Sequence, residues 1–116
     1  MMQRRLFVQA TAGAAALGAL APYAAFAQAL EQVKIFYGFP AGSAGDSVAR
    51  RVAEKIGGTP YSKLPGFVEN KPGAGGRIAV ETLKNSPADG SVLALAPVSA
   101  LSVYPYIYPK LAYKPE

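Results

Sequence analysis

This sequence predicts an α/β fold, a small parallel sheet entered in the order βαβαβ, and three observations point there. Two short runs of β-forming residues each end in a glycine-rich turn, Gly38 to Gly45 and Gly73 to Gly76. Each turn feeds a stretch whose apolar residues recur at helical spacing. A third, unbroken apolar run, Val92 to Ala96, follows the turn signal Pro87-Ala88-Asp89-Gly90. Unbroken runs suit strands buried on both faces of a parallel sheet.

The chain has 116 residues, one domain at most, and residues 1–27 read as an export signal. Basic Arg4 and Arg5 precede an Ala/Gly/Leu stretch from Ala10 to Ala21, then Pro22 and the small-residue site Ala25-Phe26-Ala27. Cleavage is expected between Ala27 and Gln28. Arg4-Arg5-Leu6-Phe7-Val8 resembles the twin-arginine export motif, with Gln3 and Gln9 where that motif usually has Ser and Lys. The competing reading is an uncleaved membrane anchor from Ala10 to Leu30, against which stand Pro22 and the scarcity of large apolar side chains.

Val33 to Tyr37 is the first expected strand. The loop Phe36-Tyr-Gly-Phe-Pro-Ala-Gly-Ser-Ala-Gly-Asp46 then leads into a helix through Val48, Ala49, Val52, Ala53 and Ile56. Its glycines, Gly38, Gly42 and Gly45, leave backbone N–H groups uncovered and allow positive φ, and the next helix adds the free N–H groups of its first turn. The loop is therefore a candidate cradle for a carboxylate or phosphate, built from backbone rather than from cationic side chains. Its simpler reading is a tight strand-to-helix turn capped by Ser43 or Asp46. On the exposed helix face Arg50 and Glu54 are placed for an i,i+4 ion pair, and Gly57-Gly58 end the helix.

Thr59 to Pro65 is a polar, proline-containing link, and Gly66 to Asn70 a second, weaker strand. Lys71-Pro72-Gly73-Ala74-Gly75-Gly76 repeats the glycine turn and opens a helix through Ile78, Ala79, Thr82 and Leu83, with Arg77 and Glu81 spaced as a pair. A dinucleotide fingerprint fails here, because Ile78 stands where a small residue must let helix and strand approach, and no acid follows about twenty residues on. Neither turn carries the Gly-Lys-Ser/Thr of a phosphate-binding P-loop. After Val92 to Ala96, residues Ser99 to Ile107 suit a short helix. The close, Tyr104 to Pro115, holds four tyrosines, expected to form an exposed apolar surface unless something covers them.

Composition removes several functions. With no Cys and no His the chain has no disulfide scaffold, no zinc site of those ligands, no Cys nucleophile and no Ser-His-Asp triad. The net charge of +5 falls to +3 without Arg4 and Arg5, and the basic residues are scattered among acids. No basic stripe with interleaved aromatics marks a nucleic-acid surface, so no nucleic-acid partner is expected. No cofactor and no metal are expected either. In a parallel sheet the two glycine turns and the Pro97 to Ala100 segment all lie at the carboxyl ends of the strands, where open sheets bind ligands.

Those residues also carry a resemblance. Phe39-Pro40-Ala41-Gly42-Ser43-Ala44-Gly45-Asp46, Val68 to Gly76, Ala88-Asp89-Gly90 and Tyr104 to Pro115 closely resemble, in order and spacing, the amino-terminal part of the Bug (TctC-like) solute-binding receptors of tripartite tricarboxylate transporters. The resemblance implies a type II periplasmic-binding-protein-like fold, with residues 28–116 an incomplete first lobe and a second lobe missing. It implies a periplasmic receptor, not an enzyme, that takes a small carboxylate and works with membrane permease subunits. Carried over by position, the ligand contacts fall on Phe39, Pro40, Ala41, Gly42, Ser43, Gly45, Asp46, Ser99 and Ala100. Such receptors usually have Gly-Gly at Gly42-Ser43, Thr or Ser at Gly45, a Thr/Ser-rich run at Pro97 to Ala100 and Asn at Tyr104, so amide contacts carry over more readily than hydroxyl contacts. Alternative readings are a ligand-presenting sensor component, a truncated product without function, and an enzyme acting on anionic metabolites. The last would need an acid–base pair from Asp46, Ser43, Ser99 or a tyrosine.

Overall fold

The computed structural model describes residues 29–115. The expected export signal and its cleavage site at Ala27 and Gln28 lie outside the described residues. Within them the chain runs β1 (Lys34–Tyr37), α1 (Ala44–Ile56), β2 (Phe67–Asn70), a 3-10 turn (Ala74–Gly76), α2 (Arg77–Lys84), β3 (Val92–Leu95), α3 (Ser99–Ser102) and α4 (Tyr104–Ile107). The three strands form one parallel sheet in the order β2-β1-β3. The βαβαβ expectation and its parallel sheet therefore hold. The Ser99 to Ile107 segment forms two short turns of helix rather than one, interrupted at Val103.

Side-chain alternation decides what each face buries. Val33, Ile35, Val68, Leu93 and Leu95 share the face on which α1 lies, with Ala53 and Ile56 of α1 against them. Phe36 and Ala94 point to the other face, where a right-handed second crossover from β2 to β3 must lay α2. Alanines at the helix–sheet contacts, Ala49, Ala53 and Ala79, are buried and let backbones approach. The link from Thr59 to Pro65 is ordered: fully buried Ser62 bridges to both Leu30 and Gly57, and its hydroxyl donates to Leu64 O at 2.8 Å.

Three expectations are corrected. Val92 to Leu95 are only half-buried, because among the described residues β3 has a strand on one side only. Arg50 turns back to Asp46 at 2.9 Å rather than forward to Glu54, which sits 3.7 Å from Lys55. Arg77 donates to Ala74 O at 2.9 Å and lays its guanidinium 3.8 Å over the Tyr108 ring, leaving the Glu81 pairing unused.

The tyrosine segment also differs from its expectation. Tyr113 is buried, with its hydroxyl donating to Ala100 O at 2.7 Å. Tyr104 is half-buried and donates to Gly75 O at 3.0 Å, and its ring meets that of Tyr108 edge-on. Tyr106 alone of the four stays open, at 88% exposure. The segment is covered in part, because the hydroxyl of Tyr104 finds a carbonyl of the second glycine turn and that of Tyr113 one of α3, while Tyr106 and Ile107 remain exposed.

A tight backbone approach joins the end of β1 and the second glycine turn. A Cβ on Gly38 would lie 2.6 Å from Gly76 Cα and 3.0 Å from its carbonyl oxygen. Both obstacles are backbone, so relief requires one loop to move. Gly38→Ala is expected to lower the stability of the chain by about 1–3 kcal/mol through overpacking, measured by urea unfolding; an unchanged midpoint would show the two loops to be separable.

Candidate functional site

The three loops at the carboxyl edge of the sheet converge on Gly76. A Cβ there would stand 3.2 Å from Pro97 Cδ and 3.3 Å from Phe39 Cε2, so the third and first loops both abut the second. Ser99 and Ala100 follow directly in α3, and buried Ala100 is held by Tyr113. The structure thus brings Phe39 and Pro97 together at Gly76. Ser99 and Ala100 reach the first loop through that contact and make no hydrogen bond to it among the described residues.

The first loop is built around the carboxylate of Asp46, which is 3% exposed. Its Oδ2 accepts from Arg50 Nε at 2.9 Å and from the Gly42 N–H at 3.0 Å, while Oδ1 accepts from Asn70 Nδ2 at 2.8 Å. Asn70 Nδ2 also donates to Phe39 O at 3.1 Å, and Arg50 reaches Asn70 Oδ1 at 3.3 Å. Asn70 ends β2 and sits in register with Tyr37, so one amide ties the loop to the neighbouring strand. Hydrogen bonds from Arg50, then from Gly42 and Asn70, outweigh burial and hold the Asp46 carboxyl down at about 2.

Ser43 is the N-cap of α1, accepting from the Asp46 N–H at 3.4 Å, and its own hydroxyl donates to Tyr37 Oη at 3.2 Å. Gly42 alone of the loop's three glycines has positive φ, +85°. Gly45 is glycine for another reason: a Cβ there would collide with the Tyr37 hydroxyl.

This geometry sorts the candidate residues by what they can offer. The Gly42 N–H and the Asp46 carboxylate are spent on each other, and Ser43 on capping and on Tyr37. Ala44 and Gly45, at the first two positions of the 13-residue α1, donate their N–H groups to no acceptor among the described residues. Phe39, Pro40 and Ala41 frame the approach, with Pro40 and Ala41 exposed. Sequence reasoning misses Arg50, Asn70 and Ala44 as site residues. Arg50 is legible as an Asp46 partner one helical turn on; Asn70 has only its place before a glycine turn to mark it.

Because the native pKa of Asp46 lies below its ordinary 3.8, its stabilising effect is complete above that value and is lost as pH falls towards about 2. The stability difference between the chain and its Asp46→Asn variant is expected to stay constant well above pH 3.8 and to shrink across that window. Urea unfolding at stepped pH checks this; a difference independent of pH would remove the ionic clamp.

Comparison with known proteins adds the lineage. The family model described as tripartite tricarboxylate transporter family receptor, TctC, matches residues 48–116. A UPF0065 protein of Bordetella pertussis is 29% identical over 86 residues, covering 71% of this chain and 25% of that protein. The chain therefore spans about a quarter of the length of this curated relative. The family match begins inside α1 and takes in the second glycine turn, β3 and the tyrosine segment packed on them, more than half of the sequence, and on that match the chain belongs to the TctC family of tripartite tricarboxylate transporter receptors.

Proposed function

We propose that this chain is part of a periplasmic solute-binding receptor that takes a small carboxylate and delivers it to the membrane permease subunits of a tripartite transporter. The observation that carries the reading is the pair of open N–H groups at Ala44 and Gly45, beyond the carboxyl ends of the strands in a member of this receptor family. A carboxylate lying across them is favoured by the α1 dipole as well as by the two donors. The neighbouring Asp46 does not repel it as a lone charge would, because Arg50 stands 2.9 Å away.

Phe39, Pro40 and Ala41 form one wall of this site, Gly42, Ser43 and Asp46 fix its shape, and Ser99 and Ala100 border it from the third loop. A second lobe closing over the crevice would remove the anion from water and strengthen each contact. Catalysis fits poorly: a carboxyl held at about 2 is a weak base at neutral pH, and among the described residues the Ser43 hydroxyl donates only to Tyr37.

On the described residues alone, two donors facing solvent offset little of the cost of association. Succinate, citrate or glutamate is expected to bind at millimolar or weaker affinity, with amide NMR shifts concentrated at Ala44 and Gly45. Ala44→Pro removes one donor at a helix position that tolerates proline, after a Ser43 already extended at φ −71°, ψ 163°. It should weaken binding roughly five- to tenfold while leaving stability unchanged. Shifts spread elsewhere, or binding insensitive to Ala44→Pro, would overturn the site.

Periplasmic residence rests on the amino-terminal residues. Protein recovered from the cell envelope is expected to begin at Gln28, read by amino-terminal sequencing, and Arg4→Lys with Arg5→Lys should block export by a twin-arginine route. Retention of Met1 on exported protein would refute cleavage.

A further inference from the structure

We propose that the Tyr37 hydroxyl is a third donor to the anion bound at Ala44 and Gly45, so that two amides and one phenol together select an ionised carboxylate. This contact rests on the reading of that site under Proposed function. Alternation puts Tyr37 on the α1 face of β1, in line with the core residues Val33 and Ile35. It is the last side chain of the strand on that face, and its ring runs under the first turn of α1.

The hydroxyl occupies the position that a Cβ on Gly45 would take. Cα–Cβ bonds of an α-helix tilt towards its amino end, the direction in which the unpaired N–H groups of the first turn also point. The hydroxyl therefore stands at the rim of the same opening as the Ala44 and Gly45 N–H groups.

One O–H in this loop is unspent. Tyr37 Oη and Ser43 Oγ lie 3.2 Å apart and share one hydrogen bond, which Ser43 donates. Ser43 Oγ in turn accepts from the Asp46 N–H at 3.4 Å. Neither hydroxyl has another acceptor among the described residues, so two protons serve one bond. Reversing the shared bond would hand the spare proton to Ser43 without removing it. Tyr37 is 8% exposed, so the loop itself sets its surroundings, and a hydroxyl so closed to water is costly unless its hydrogen bonds are made.

Packing alone does not call for this group. A phenylalanine ring would keep the 5.6 Å approach to Phe39. Glycine in a helix is less favourable than alanine, yet Gly45 must lack a Cβ to admit the hydroxyl. The result is one O–H donor beside two N–H donors. An ionised carboxylate only accepts and has two oxygens, so it can take all three, whereas the amino group of a carboxamide would turn a donor towards one of them.

The test is a succinate titration of the full chain, recovered from expressing cells, with isotope labels on the backbone amides and on the tyrosine Cζ atoms. The Tyr37 Cζ signal, assigned by its through-space contact with Gly45, should shift with the same midpoint as the Ala44 and Gly45 amides. Tyr37→Phe is made in a Ser43→Gly background, where no freed serine proton can take over and glycine still serves as N-cap. It should weaken binding roughly fivefold relative to Ser43→Gly alone. Should the double variant fail to fold by circular dichroism, the Cζ titration decides alone. Absence of succinate binding, or binding indifferent to Ala44→Pro, would overturn the site and this contact with it. Binding that Ala44→Pro weakens, with an unmoved Tyr37 Cζ signal or a folded double variant that loses no affinity, would overturn the contact alone.

Discussion

One buried carboxylate organises the first loop, and through it the edge of the sheet. Asp46 joins α1 through Arg50, the glycine turn through the Gly42 N–H, and β2 through Asn70. An ion in a place so closed to water is tolerated only when its lone pairs are taken up by donors. Here the donors come from three separate pieces of chain. Removing any of them leaves a charge without its full set of partners, so the loop's shape depends on the whole group rather than on glycine flexibility.

That arrangement gives the loop a division of labour. The groups nearest to hand for a ligand, the Gly42 amide and the acid itself, are occupied in holding the turn. What remains open is the start of α1, two residues whose side chains are a methyl and a hydrogen. Small side chains are required there because Gly45 lies against the Tyr37 hydroxyl. The same residues that allow close packing also leave the backbone accessible.

The fold was legible in the sequence because its signals are local: three runs of β-formers, two glycine turns, and helical spacing in between. Each strand was placed to within a residue of its observed ends. The site was legible as a segment but not as a set of bonds. Arg50 could pair either one turn back or one turn forward, and Asn70, twenty-four residues from Asp46, settles the matter by adding a second partner behind it. The tyrosines misled for a similar reason. Aromatic residues in a proline-rich tail suggest a surface awaiting cover, but the carbonyls of Gly75 and Ala100 that receive Tyr104 and Tyr113 are set by tertiary folding. Val92 to Leu95 read as doubly buried because an apolar run does not say how many strands stand beside it.

The central position of β1 has a consequence for synthesis. Chains emerge amino end first, and here the strand made earliest is the one that both later strands must flank. β1, α1 and β2 complete a unit with close sequence neighbours, and the Asp46 clamp can close within it as soon as Asn70 has left the ribosome. The opposite flank of β1 waits for Val92, more than fifty residues after Lys34. During that interval Lys34 and Phe36 present unpaired backbone to whatever is nearby. The nascent chain thus passes through a half-sheet whose vulnerable side is later its most interior line.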